Sequence, residues 1–122
     1  HAHSRTVMYA ALLCLLGECS SVQQDPLQQF QAMLRLTPLE RLAWTCPSAQ
    51  AADMTAIATI YARYLEKLDD PRFRHSLLDD NLTEAHTAEW TQSGHDLRNA
   101  LSRFLDERRQ QWAPEFAAAL WL

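Results

Sequence analysis

Apolar residues recur along this chain at three- and four-residue spacings and nowhere alternate with period two. That spacing lines up one side of an α-helix, whereas a half-buried strand needs alternation, so the pattern predicts an all-α protein. Its first block is the ten-residue apolar run Val7 to Leu16, which reads as a buried first helix with Ser4 or Thr6 near its start and Gly17 near its end.

Capping signals divide the rest of the chain. Asp25-Pro26-Leu27-Gln28 offers a cap side chain, a proline for the first helical position and a Gln three residues after the cap. A helix is therefore expected from Pro26, burying Leu27, Phe30, Met33 and Leu34. Thr37-Pro38-Leu39-Glu40 repeats the signal with a capping-box Glu and starts a short helix through Trp44, which Cys46-Pro47 ends. A longer helix should run from Ser48 to about Leu68, with Ile57, Ile60, Tyr61, Tyr64, Leu65 and Leu68 as its apolar members. Asp70-Pro71 opens another, with Phe73, Leu77 and Leu78. Thr83 caps a helix that carries Trp90 and should close at Ser93-Gly94. The last long helix is expected from about His95 to Trp112, with Leu97, Leu101, Phe104, Leu105 and Trp112 on one stripe, and Pro114 begins a final segment over Glu115 to Leu122. Six or seven helices result, and a compact helical bundle is the expected architecture.

The segments also echo one another. Leu36, Thr37 and Trp44 recur as Leu82, Thr83 and Trp90, and Asp25-Pro26 recurs as Asp70-Pro71, which suggests two pseudo-repeated helical units of about 45 residues. Two units are fewer than a HEAT or armadillo solenoid needs, so the bundle is preferred. The Leu-Thr lead-ins resemble the LTxxQ motifs of small periplasmic helical chaperones. Glu40 and His86 stand where those motifs have Gln, and the likeness carries no function here.

Composition adds three constraints. With 122 residues, 48% of them hydrophobic and 21% charged, residues 1–122 are expected to form one domain with one core. Net charge is −4 and Lys67 is the only lysine, which argues against a phosphate-neutralising basic face and hence against nucleic acid as partner. Arg5 followed by the apolar run and Gly17-Glu18-Cys19 looks like a lipoprotein leader, but Glu18 is not the small residue that precedes a lipidated Cys. Ten apolar residues are also too few for a membrane span. Residues 1–4, His1-Ala2-His3-Ser4, read as an expression-tag remnant and are kept out of the functional argument. The cytoplasm is favoured, with the periplasm left open.

Candidate chemistry is sparse. Cys14, Cys19 and Cys46 form no CxxC and no zinc spacing, so structural thiols are expected rather than a Cys14–Cys46 or Cys19–Cys46 bridge. His75 with Asp79, and His86 with Glu89, share helix faces, but metal sites in bundles use paired Glu-x-x-His motifs, which are missing. There is no GxSxG, P-loop, GxGxxG or HExxH, so no catalytic residue is assigned and no cofactor or metal is expected. The favoured reading is a non-enzymatic interaction module, such as a bacterial adaptor, secretion chaperone or toxin-neutralising partner. Trp44, Trp90 and Trp121 would form its apolar groove, and Asp79 and Asp80 an acidic face for a basic protein partner. Between Glu66 and Asp96 there are eight acidic residues and three basic ones. Self-association is left open. The alternative is a small-molecule pocket between helices lined by Tyr61, Tyr64, Phe73 and Phe104.

Overall fold

The computed structural model describes residues 2–22, 24–79 and 83–119. Among them are seven α-helices and no strand: α1 (Ala2–Ser21), α2 (Pro26–Leu34), α3 (Pro38–Thr45), α4 (Ala51–Asp69), α5 (Pro71–Leu78), α6 (Glu84–Arg109) and α7 (Pro114–Ala119). A 3-10 turn, Ser48–Gln50, leads into α4. The fold is the all-α bundle that the periodicity predicts. α1 packs on α3, α3 on α4, α4 on α6 and α6 back on α1, which closes a ring of four helices. α2 and α7 lie against α1, and α5 lies against α4.

The helix starts are set locally, as their sequences require. Asp25 accepts a bond from the Gln28 amide at 3.1 Å. Thr37 and Glu40 form a reciprocal capping box, at 3.3 Å to the Glu40 amide and 2.8 Å from the Thr37 amide. Asp70 accepts from the Arg72 amide at 2.9 Å and Thr83 from the His86 amide at 3.1 Å. Each cap satisfies an amide that the first turn leaves without a partner. The two halves of the chain share one order of elements: a long helix, an Asp-Pro-capped short helix and a Thr-capped third helix.

Inside the ring, Val7, Ala11 and Cys14 of α1 meet Leu42 of α3, Ile57 of α4 and Leu97, Leu101 and Phe104 of α6, all essentially inaccessible. Gln50 is buried with them and donates from Nε2 to the Phe104 carbonyl at 3.1 Å, so its amide nitrogen is paired.

Two expected boundaries are corrected. Ser93-Gly94 does not end a helix, because α6 runs unbroken from Glu84 to Arg109. A glycine stops a helix by taking a left-handed conformation, and no glycine here has positive φ. Gly17 likewise lies inside α1, which continues to Ser21. The Ser20 and Ser21 hydroxyls donate back to the Gly17 and Glu18 carbonyls and serve its last turn. Several expected core positions are also corrected. Leu27 and Leu34 of α2, Leu65 of α4 and Leu78 of α5 are exposed, because these helices have no neighbour on that side. Trp112 is buried, though it lies beyond α6 in the turn before α7.

The two glycines should respond oppositely to alanine. A Cβ at Gly17 would fall within the Trp112 indole, whereas one at Gly94 would reach only ordinary contact with the His3 ring at 3.6 Å. Gly17→Ala is expected to cost about 1–3 kcal/mol through forced displacement of Trp112. Gly94→Ala should stabilise by roughly 0.5–1 kcal/mol by restricting the unfolded chain. Urea unfolding followed by circular dichroism checks both signs, and equal effects would contradict the packing described.

Candidate interaction surface

Two groups of aromatic and apolar side chains stand out, one closed on itself and one open to solvent. The closed group fills the corner between α4, α5 and α6. Tyr61 stacks on Tyr64 with ring centroids 5.4 Å apart, and Trp90 lies 5.3 Å from Tyr64 and 5.1 Å from Phe73. The first turn of α1 completes it. The His3 ring stacks on Tyr64 at 4.7 Å, sits 4.5 Å from Trp90, and shares a 3.0 Å hydrogen bond between Nε2 and the Ser93 hydroxyl. Ser4 and Tyr64 are joined by their hydroxyls at 2.7 Å. His3 and Ser4 are thus part of this packed corner, and His3 is among the most buried side chains described. Only its place one turn before Val7 hints at this in the sequence.

Lys67 closes the same corner, bonding Glu89 at 2.9 Å and standing 5.6 Å over the Phe73 ring. The Lys67 ammonium, through hydrogen bond and charge, holds the Glu89 carboxyl below its ordinary range. Shallow clefts of about 280 and 460 Å³ lie on either side of this ion pair. Three residues of the expected ligand pocket, Tyr61, Tyr64 and Phe73, therefore do come together, with Trp90. Phe104 is fully buried in the main core, against which Tyr61 packs, and is not one of the stacked rings.

Trp44 and Trp90 hold matching positions in the two halves but have different surroundings. Trp44 is two residues from buried Leu42, hence on the far side of α3, and remains 53% exposed. Asp79 is exposed at the end of α5 and pairs with His75 at 2.9 Å. Trp121 and Asp80 lie outside the described residues.

The open group is on α1. Apolar residues surround this helix on all sides, and such a helix is ordinarily buried on all sides. Here its neighbours α2, α3, α6 and α7 cover Val7, Ala10, Ala11, Cys14 and Leu15 but not the opposite side. Met8, Tyr9, Leu12 and Leu16 are left 59%, 62%, 46% and 40% exposed. Their spacing of three or four residues makes them one continuous outward stripe. Together with Arg5 on α1 and Pro38 and Arg41 on α3, Met8, Tyr9 and Leu12 line a hollow of about 560 Å³. Hydrophobicity alone places these residues in the core, because a run of apolar residues does not show which side of the helix its neighbours will leave open. The four-residue steps Met8, Leu12, Leu16 are the signal the sequence does carry.

Reactive chemistry is muted. The three cysteines are free thiols, and burial pushes the Cys14 thiol up to about 12, which leaves almost no thiolate at neutral pH. Among the described residues no three His, Cys, Asp or Glu side chains converge as metal ligands, and no helix is long and apolar enough to cross a membrane. No family model, curated protein or solved structure matches the chain.

The contrast between the two tryptophans can be measured. Trp90→Ala removes the ring that contacts His3, Tyr64 and Phe73 and should cost on the order of 2–4 kcal/mol, whereas exposed Trp44→Ala should stay within about 0.5 kcal/mol. Thermal unfolding of the two variants separates the roles.

His3 supplies a second prediction. Burial, reinforced by nearby positive charge including Lys67, lowers its pKa below 6.5. The unfolded chain then binds the proton more readily than the native one, so stability falls as pH drops through 6.5 and levels off below the native pKa. Between those two values the wild type should lose stability that His3→Gln does not, as measured by urea midpoints across neutral to mildly acidic pH.

Proposed function

We propose that the protein is a non-enzymatic helical module that binds another polypeptide through the apolar face of its first three helices. One observation carries this reading: of nine large hydrophobic side chains left exposed among the described residues, seven lie between Met8 and Trp44. Of these, Met8, Tyr9 and Leu12 line one hollow with Pro38, and a contiguous apolar surface on a folded chain marks an interaction site more often than an accident of packing. Tyr9 and Trp44 add the residue types that anchor interfaces.

Charge supports the same side of the molecule. Residues 1–50 balance Arg5, Arg35 and Arg41 against Glu18, Asp25 and Glu40, so the net charge of −4 resides entirely in residues 51–122. The exposed apolar residues and the acidic surface thus belong to different halves of the chain. An adaptor or chaperone role fits, with the neutral half holding the partner through its exposed apolar residues.

A small-molecule site is the second reading, favoured by the convergence of Tyr61, Tyr64, Phe73 and Trp90 beside Lys67. It ranks lower because these rings already stack on one another and on His3, which leaves few ring faces for a ligand.

Leu12→Glu and Leu65→Glu provide the test, since both replace an exposed leucine and only the first lies on the α1 stripe. Surface changes of this kind should alter stability by no more than about 0.5 kcal/mol. A chain that co-purifies in stoichiometric amount with the wild type, whether a different protein or an untagged copy of this one, should persist with Leu65→Glu and be lost with Leu12→Glu. Equal retention by both variants would sink the assignment of the α1 face.

A further inference from the structure

Resting on the interaction reading, we infer that the occupant of the α1 face is a second copy of this chain, packed with its own α1 antiparallel across Leu12. Three exposed apolar positions of α1 are symmetric about Leu12, while Tyr9, whose mirror position is buried Leu15, lies at the edge of the pairing. Met8 stands four residues before it and Leu16 four after, while Arg5 and Cys19 each lie seven away. In an isologous pairing each residue meets its mirror partner, so Leu12 meets Leu12, Met8 meets Leu16 and Arg5 meets Cys19 of the other copy. Steps of three and four residues are those of a helix seam in which side chains enter hollows between neighbouring side chains. The hollow formed by Met8, Leu12, Pro38 and Arg41 is placed to receive Leu16 of the other copy.

Charge selects both the partner and the direction. A parallel pairing would set Arg5 against Arg5. The antiparallel one separates them by the span from residue 5 to residue 19, about 21 Å at 1.5 Å per residue, beyond the screening length at physiological salt. No charged residue lies on the stripe between Arg5 and Cys19, because Glu18 is turned inward to Arg108. With residues 1–50 neutral, two copies can join these halves and keep the two −4 halves outward. A basic partner drawn to the acidic half would find only Leu65 and Leu78 exposed there among the large hydrophobic residues described.

The test places a photoreactive benzophenone amino acid at position 12 of the full chain, irradiates the cells that make it and reads the mass of the adduct. It is paired with sedimentation of the purified wild type and Leu12→Glu, and with mild oxidation of Leu12→Cys in a Cys19→Ser background. Self-association predicts an adduct of twice 14.0 kDa, a wild-type dimer, a Leu12→Glu monomer of unchanged helical signal, and a disulfide-linked dimer only when Cys stands at position 12. A dimer that survives Leu12→Glu overturns the seam. An adduct of any other mass, protein or lipid, overturns self-association and leaves the face an interaction surface. A wild-type monomer at high concentration with no adduct in irradiated cells overturns both readings.

Discussion

The contact of Trp112 with Gly17 fixes how the two halves of this chain lie together. Gly17 presents no side chain, so the indole lies directly on the backbone of α1 and the turn after α6 is drawn against the end of the first helix. Glu18, the next residue, reinforces the contact. Its carboxylate accepts from Arg108 and, at 3.3 Å, from the Trp112 indole N–H, while the Ala113 amide donates to the Ser20 hydroxyl at 3.2 Å. At the other end of α1, His3 reaches Ser93 and Tyr64. α1 is thus tied to α6 near both of its ends, with small residues, Ala10, Ala11 and Cys14, between. Small side chains allow two helix backbones to approach closely, and that approach sets the side of α1 that is buried.

Once that side is fixed, the opposite side is fixed as well. The Glu18 and Arg108 side chains are only 15% and 11% exposed, and an ion pair so withdrawn from water contributes modest net stability but strongly penalises arrangements that separate it. A rotation of α1 that turned Met8, Leu12 and Leu16 inward would break this pair and drive Trp112 off Gly17. The outward apolar stripe is therefore a consequence of polar and steric constraints at the end of the helix, and burying it requires a surface from outside the ring.

This division explains what is legible in the sequence. The caps Asp25, Thr37, Asp70 and Thr83 depend only on residues within a turn, so the helix starts can be read directly. Periodicity locates the apolar sides of the helices but not which sides will find a neighbour, and so Leu27, Leu34, Leu65 and Leu78 carry a core pattern and lie exposed. Ser93-Gly94 carries a stop signal that tertiary packing overrides, because its serine holds His3 and its glycine sits against the same ring. Trp44 and Trp90 match in sequence register, but only Trp90 meets aromatic neighbours from other helices, His3, Tyr64 and Phe73, while Trp44 faces away from buried Leu42. The α1 face is hidden for a related reason: a helix apolar all round looks alike in sequence whether its neighbours cover every side or leave one open.

A chain that leaves such a face in water carries an aggregation liability, and the distribution of charge bears on which contacts the proposed self-association would allow. Exposed apolar stripes associate without much orientation, since hydrophobic attraction is non-directional. Orientation comes from what surrounds the stripe. Arg5 at one end and Arg41 beside it disfavour pairings that bring either against its own copy, and the acidic residues of 51–122 repel any approach that joins the other halves. Like charges that oppose the wrong contacts narrow the alternatives more effectively than added attraction would, because they leave the apolar seam free to supply affinity. Under the proposed self-association, the neutral half supplies the contact and the −4 half restricts where that contact can form.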